Sequence, residues 1–253
     1  MSQSLPQTLL FDLDDTILRA YGQPEAAWLV VAGEFAAELD GLTPAELAEN
    51  ATAFARTFWA DPDRHRTWRL KLLDARREIV AGTLATLARA GRPTPAAELG
   101  RRIADRFTAY RDEQMGLFPG AIEVLDALRT SGVRLGLVTN GAGEAQRAKL
   151  SRFDLSRRFD HIQIEGEAGF GKPDERAYLH ALQALDSRPH ETWIVGDHLE
   201  WEVRAPQRLG IHAIWFDPDA RGLPGDSPAR PDRTIRLLSE LLPDAASPFV
   251  TGG

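Results

Sequence analysis

Cysteine is absent from the 253 residues, which excludes disulfides and thiolate metal sites and permits a reducing compartment. No apolar run approaches the roughly eighteen residues that a membrane-spanning helix needs, so no membrane partner is expected. The opening MSQSLPQTLLFDL has no basic segment followed by a long apolar one, so no secretory signal is expected, and the chain is placed in the cytoplasm. Basic excess is lacking too. The 30 Lys and Arg face 37 Asp and Glu, a net charge of −7 that disfavours nucleic acid as a partner. A small anion is not excluded, because one metal ion and one lysine can invert the field locally. There is no internal repeat and no low-complexity run. What is present, 43% apolar and 26% charged residues, suits a globular chain long enough for a main domain with a smaller one inserted.

QTLLFDLDD reads as a short buried strand running into acids. From about Ile17 to Met115 the pattern is helical. PEAAWLVVAGEFAAEL, PAELAENATAFARTFWA, RTWRLKLLDARREIVAGTLATLARA and PAAELGRRIADRFTAYRDEQ each carry apolar residues at three- and four-residue spacing, punctuated by Pro24, Pro44, Pro62, Pro93 and Pro95. After LFPGA, helix and strand alternate. AIEVLDALRTSG is a helix closed by Gly132, and VRLGLVTNG is a buried strand. EAQRAKLSRF, DERAYLHALQAL and EWEVRAPQRLG follow as helices; DHIQIEG, ETWIVGD and HAIWF are strands. RTIRLLSELL holds a last short strand and helix, and DAASPFVTGG reads as a loose tail. Alternation of this kind predicts an α/β fold, a doubly wound parallel sheet built from right-handed βαβ units. The first strand is cut off from its partners by a stretch too long for a structureless loop. An inserted α-helical cap domain, residues 17–116, therefore divides a core of residues 1–16 and 117–253.

Three strand ends share one texture: LLFDLDDT, LGLVTNG and WIVGDH each pass from apolar to polar. Singly, Asp, Thr, Asn and Gly after strands make turns and cap helices. In an open parallel sheet, however, ligands bind at the carboxyl ends of the strands. Three such ends, together with the lysine of GFGKPDE, predict one shared site.

In motif order the chain resembles the haloacid dehalogenase (HAD) superfamily, in the subgroup with a helical cap inserted after the first motif. DLDDT resembles the first motif, VTNG the second, GKPD the third and VGDHLEWEV the fourth. The resemblance implies a Rossmann-like core and a magnesium-dependent phosphatase acting on a small phosphorylated metabolite. Asp12 matches the nucleophile that forms an aspartyl-phosphate, and it is expected to be ionised without special tuning. Asp14 matches the general acid and base. Residues two apart in an extended segment point the same way, so both acids can address one substrate. Asp14 must carry a proton at the first step, so its surroundings are expected to favour the protonated form. Haloacid dehalogenases lack an aspartate there, because halide leaves without a proton; Asp14 thus favours phosphatase. Asp15 is read as a turn or helix-start residue beside Thr16.

The same resemblance assigns phosphate binding to Thr139, Asn140 and Lys172, with N–H groups around Asn140 and Gly141 as further donors. Pro173 is expected to start the following helix and fix Lys172 at its mouth. Asp12, the main-chain carbonyl of Asp14, and Asp197 are assigned to Mg2+. Where the family often has a second aspartate, this chain has Glu200 and Glu202 around Trp201. Glu202 is expected to hold a metal water, and His198 to support the site or its turn. Trp28, Trp59 and Trp68 are assigned to the cap core, and Arg66, Arg69 and Lys71 to a solvated helix face. A 2-haloacid dehalogenase, a phosphomutase and a non-catalytic binding protein are the competing functions. Neither the substrate nor the oligomeric state is legible.

Overall fold

The computed structural model describes residues 5–20 and 22–243. The tail assigned as loose, residues 244–253, lies outside them. The chain divides into two units: Met1–Arg19 with Gly116–Gly253, and Ala20–Met115.

In the first unit, β1 (Thr8–Phe11) is buried at every position, as the apolar run TLLF requires of a strand covered on both faces. A tight turn follows. Ile17 and Leu18 both donate their N–H groups to the carbonyl of Leu13, and Asp15 adopts a left-handed φ of 58°. Asp15 is thus a turn residue and starts no helix. Next comes β2 (Leu18–Arg19), antiparallel to β3 (Gly116–Leu117), with Leu18 opposite Leu117. This two-residue ribbon belongs to the sheet-bearing unit, so the joins to the helical unit fall at Arg19/Ala20 and Met115/Gly116. Strands this short leave no alternation in the sequence to detect.

The helical unit contains α1 (Pro24–Glu34), α2 (Pro44–Ala60), α3 (Pro62–Trp68), α4 (Leu72–Arg89) and α5 (Ala97–Glu113). Thr43 caps α2 with a reciprocal Glu46 box, and Asp61 caps α3. The single helix expected over 66–90 breaks at 69–71, because α3 begins one turn earlier at its own cap and proline. Trp28 stacks on Phe107 with ring centroids 3.5 Å apart, among Val31, Leu47, Ile79, Val80 and Ile103. Trp59 and Trp68 pack against this cluster, while Arg66 and Lys71 are exposed and Arg69 is half-buried. The Arg111 guanidinium, buried at the end of α5, donates to the carbonyls of Ala20 at 2.7 Å and Gly22 at 2.8 Å. It ties the first residues of the unit to its last helix.

The chain then runs α6 (Ala121–Thr130), β4 (Arg134–Thr139), α7 (Gly143–Arg152), β5 (His161–Ile164), α8 (Glu165–Ala168), α9 (Glu175–Ala184), β6 (Thr192–Gly196), α10 (Ala205–Gln207), β7 (His212–Phe216) and β8 (Arg233–Ile235). In α6, Ala121, Val124, Leu125 and Leu128 form the buried stripe. Gly132 closes it at φ 81°, with its N–H bonded to Arg129 and that of Val133 bonded to Leu128. The six strands pair in the order β5-β4-β1-β6-β7-β8, all parallel. From β1 the chain winds outward through β4 to β5, then returns to β6 on the other side. The direction reverses around β1, which puts the ends of β1, β4 and β6 at the switch point. Among the described residues, no helix is long and apolar enough to cross a membrane.

The helix expected over EWEVRAPQRLG is instead a π-type turn, Leu199–Arg204, continued by α10. Pro206 has no N–H to give to the carbonyl of Glu202, so a regular α ladder cannot pass this point. The side chain of Glu202 turns inward and is almost fully buried.

Candidate active site

Asp12 leaves β1 at the centre of the switch point. Its N–H donates to the carbonyl of Val195 on β6 at 3.0 Å, which anchors its backbone. Lys172 Nζ donates to Asp12 Oδ1 at 2.7 Å, and the Thr16 hydroxyl to Oδ2 at 3.1 Å. Burial pushes the Asp12 carboxyl up to about 6, with Lys172 pulling it down and Glu202 adding to the rise. Asp12 is therefore tuned by its site, contrary to the expectation of an ordinary aspartate. At neutral pH the carboxylate is still its majority form.

Lys172 has no exposed surface. Its Nζ also lies 2.6 Å from Oε1 of Glu202. Burial disfavours its charge, yet the two carboxylates outweigh that and hold the ammonium above its usual range. Its backbone is gripped by Asn140. The N–H of Lys172 donates to Asn140 Oδ1 at 2.8 Å, and Asn140 Nδ2 donates to the carbonyl of Lys172 at 2.7 Å. Asn140 thus positions the lysine, its side-chain amide being engaged on both ends. The N-cap of α9 is Asp174 and its first residue Glu175, so Pro173 does not start that helix. The Asn140 clasp supplies the fixing that was assigned to the proline.

Glu202, expected on a metal water, instead pairs with Lys172 and accepts the N–H of His198 at 2.9 Å through Oε2. Gly196 makes this possible: a Cβ there would lie 2.1 Å from Glu202 Cγ. Gly196→Ala is expected to displace Glu202 and destabilise the fold by about 1–3 kcal/mol, measurable by urea denaturation. His198 caps the π-type turn, its Nδ1 accepting from Trp201 N at 3.4 Å while the rings stack at 4.1 Å. That is the turn role.

At the end of β4, Thr139 Oγ1 accepts from Gln146 Nε2 at 2.6 Å. Its hydroxyl proton points to the carbonyl of Asn140 at a long 3.4 Å, a weak bond that an anion can displace. The Gly141 N–H is committed elsewhere: it donates to Glu165 Oε2 at 3.1 Å. Asp14 differs most from expectation. Both its oxygens face Lys149 Nζ, at 2.8 and 2.7 Å, and Oδ2 also accepts from Gln146. Its surroundings are donors, suited to a carboxylate that accepts. Gln146, Lys149 and Glu165 carried no motif, and Thr16, though within DLDDT, was given no role at the site. The available signal was Gln146, a polar residue one turn before buried Leu150 on the inner face of α7.

Asp197 follows β6. Its half-buried carboxylate accepts no hydrogen bond among the described residues, Trp215 Nε1 donating to its main-chain oxygen at 2.8 Å instead. Burial pushes it up to about 9, reinforced by Glu202, Asp12 and Asp15. Asp197 thus shares one ammonium with two further acids, Asp12 and Glu202, and a divalent cation would offset the cost of ionising it there. Among the described residues no group of three or more His, Asp or Glu side chains could hold a metal unaided. Magnesium does not need one, because it takes one or two carboxylates and completes its octahedron with water and phosphate. The donor set fits.

A family described as haloacid dehalogenase-like hydrolase matches residues 6–210. Over 184 residues the chain is 35% identical to a phosphoserine phosphatase of Thermus thermophilus, covering 72% of this chain and 65% of that one. Over 157 residues it is 32% identical to a ribulose-1,5-bisphosphate 5-phosphatase of Halopiger xanaduensis, covering 60% and 65%. The chain thus spans a little under two thirds of the length of these relatives. The crystal structure of the HAD-hydrolase YfnB from Bacillus subtilis, bound to magnesium, aligns with a TM-score of 0.68 at 25% identity, covering 94% of this chain and 97% of that one.

Proposed function

Because the chain belongs to the haloacid dehalogenase-like hydrolase family, we propose that it is a magnesium-dependent phosphatase. It hydrolyses a small cytoplasmic phosphomonoester through an aspartyl-phosphate on Asp12. The observation that carries this reading is Asp12 itself, a carboxylate at the switch point of the sheet, held by Lys172 and Thr16. Each of its oxygens keeps a lone pair for attack on phosphorus. The names of the two relatives, and the magnesium in the similar structure, support the reaction class. Asp14, two residues on, supports phosphatase over dehalogenase.

An Asp12 oxygen bonds to phosphorus as the ester P–O bond breaks, and Asp14 gives its proton to the departing oxygen. Water then attacks phosphorus, Asp14 takes its proton, and the bond to Asp12 breaks. Lys172 balances charge on Asp12 and the phosphoryl group, and Thr139 donates its hydroxyl proton to a phosphoryl oxygen. Magnesium, held by Asp12, Asp197 and the main-chain carbonyl of Asp14, would screen the phosphoryl charge and orient the group for in-line attack. The inserted helical unit serves as the cap that chooses the substrate.

Magnesium affinity is expected to depend on pH. In the metal-free protein burial and the neighbouring carboxylates favour the protonated form of Asp197, and a ligand carboxylate must lose that proton. Binding should therefore release about one proton and tighten by about tenfold per pH unit until the pH nears the Asp197 value. Calorimetry in buffers of different ionisation enthalpy counts the proton; pH-independent binding would contradict the assignment of Asp197.

The deciding experiment is a screen of phosphate esters with and without magnesium. Release of phosphate only with the metal is expected. Halide release from 2-haloacids with no phosphate from any ester would overturn the reading.

A further inference from the structure

Among the described residues, every hydrogen bond to the Asp14 side chain comes from α7. Gln146 and Lys149 stand three residues apart and so share one face of that helix. The ion pair is well shielded, with side-chain exposures of 13% for Lys149 and 14% for Asp14. A carboxyl group whose two oxygens both accept from an ammonium cannot hand a proton to a leaving group from that position.

We propose that Lys149 and Gln146 are positioning residues that hold Asp14 in a resting orientation, and that its release from α7 is a step of every turnover. The proposal rests on the phosphatase reading and adds to it a residue pair that no motif contains. A trigger is built into the network. Gln146 Nε2 has two protons and three acceptors: Thr139 Oγ1 at 2.6 Å, the Asn140 carbonyl at 2.9 Å and Asp14 Oδ2 at 3.0 Å. When the Thr139 hydroxyl donates to a phosphoryl oxygen, its own oxygen becomes a stronger acceptor. Nε2 is then drawn toward Thr139 and away from Asp14. Substrate arrival at β4 thereby loosens the acid carried beyond β1.

Two esters separate this role from a structural one. An alkyl phosphate needs the proton of Asp14, whereas p-nitrophenyl phosphate releases a stable phenolate with little need of it. If holding Asp14 back lowers the competent fraction, Lys149→Met should raise the alkyl-to-aryl ratio of kcat/KM by about fivefold or more. Gln146→Met should move the ratio in the same direction, and Lys149→Arg, which keeps the cation, should restore the wild-type ratio. A ratio that stays constant or falls overturns the proposal. Equal losses on both esters with a lowered Tm also overturn it, because they mark a merely structural role. A thermal double-mutant cycle of Asp14→Asn with Lys149→Met tests the contact without turnover; zero coupling overturns the clamp. Coupling in a wild-type protein inactive on both esters would sink the phosphatase reading, and the role of the clamp with it.

Discussion

Asp12→Asn is expected to lower phosphate release by roughly 10⁴- to 10⁶-fold, the scale of losing a nucleophile from a cooperating set. An amide oxygen is too poor a nucleophile to form the phosphoenzyme, so acid-quenched protein should show no phosphate adduct by intact mass. The fold should survive. Lys172 keeps Glu202 as its counter-charge at 2.6 Å. The variant also removes one of the carboxylates that push Asp197 up, so less repulsion is stored in the folded state. A Tm at or above that of the wild type is the expected companion result, a case of activity maintained at the expense of stability. Residual activity near the wild-type level would refute the covalent route, and a collapsed fold would refute this account of the charges.

Lys172→Met should be damaging in both respects. The methionine fills much of the same volume but leaves Asp12 and Glu202 without their cation. Removing one partner of a buried pair costs about 3–5 kcal/mol. The loss should depend on pH. Carboxylates buried without a cation have folded pKa values above their unfolded ones. Their contribution is then full at low pH and is lost as pH rises through the folded value. Asp12 already stands at about 6 with the lysine present. The deficit of the variant should therefore be large near pH 8 and shrink toward pH 5, measured by urea denaturation at both. A deficit equal at the two pH values would assign the role of Lys172 to packing rather than charge. Turnover should fall by about 10²–10³-fold, the usual scale for removing one group that stabilises developing charge.

The sheet was legible because buried parallel strands are written as short apolar runs between turn residues. TLLF, RLGLVT and TWIVG each mark their own strand. Asp12, Thr139, Lys172 and Asp197 were legible as an ordered set at the ends of predicted elements. What escaped was contact between distant parts of the chain. Lys149 lies 135 positions from Asp14, and nothing local in EAQRAKL announces a partner there. Glu202 was read from spacing as near a metal. Its true direction depends on Gly196, whose missing side chain gives it room, and on Pro206, which interrupts the helix beneath it. The Gly141 N–H looked like an anion donor only until Glu165, 24 positions away, claimed it.

The neck of the insertion carries a consequence of its own. On the sheet side, Leu18 and Arg19 pair with Leu117 and Gly116; on the helical side, Arg111 grips Ala20 and Gly22. The two crossings are thus each fastened where they enter and leave. Seen from the sheet, the helical unit occupies the place of a hairpin turn, whatever its length. Loop closure then costs little more for a long insertion than for a short one, about 0.6 kcal/mol per doubling. Such an attachment works like a socket. A different helical insert, fitted with the same ribbon and a similar clasp, could be exchanged into it without refolding the sheet.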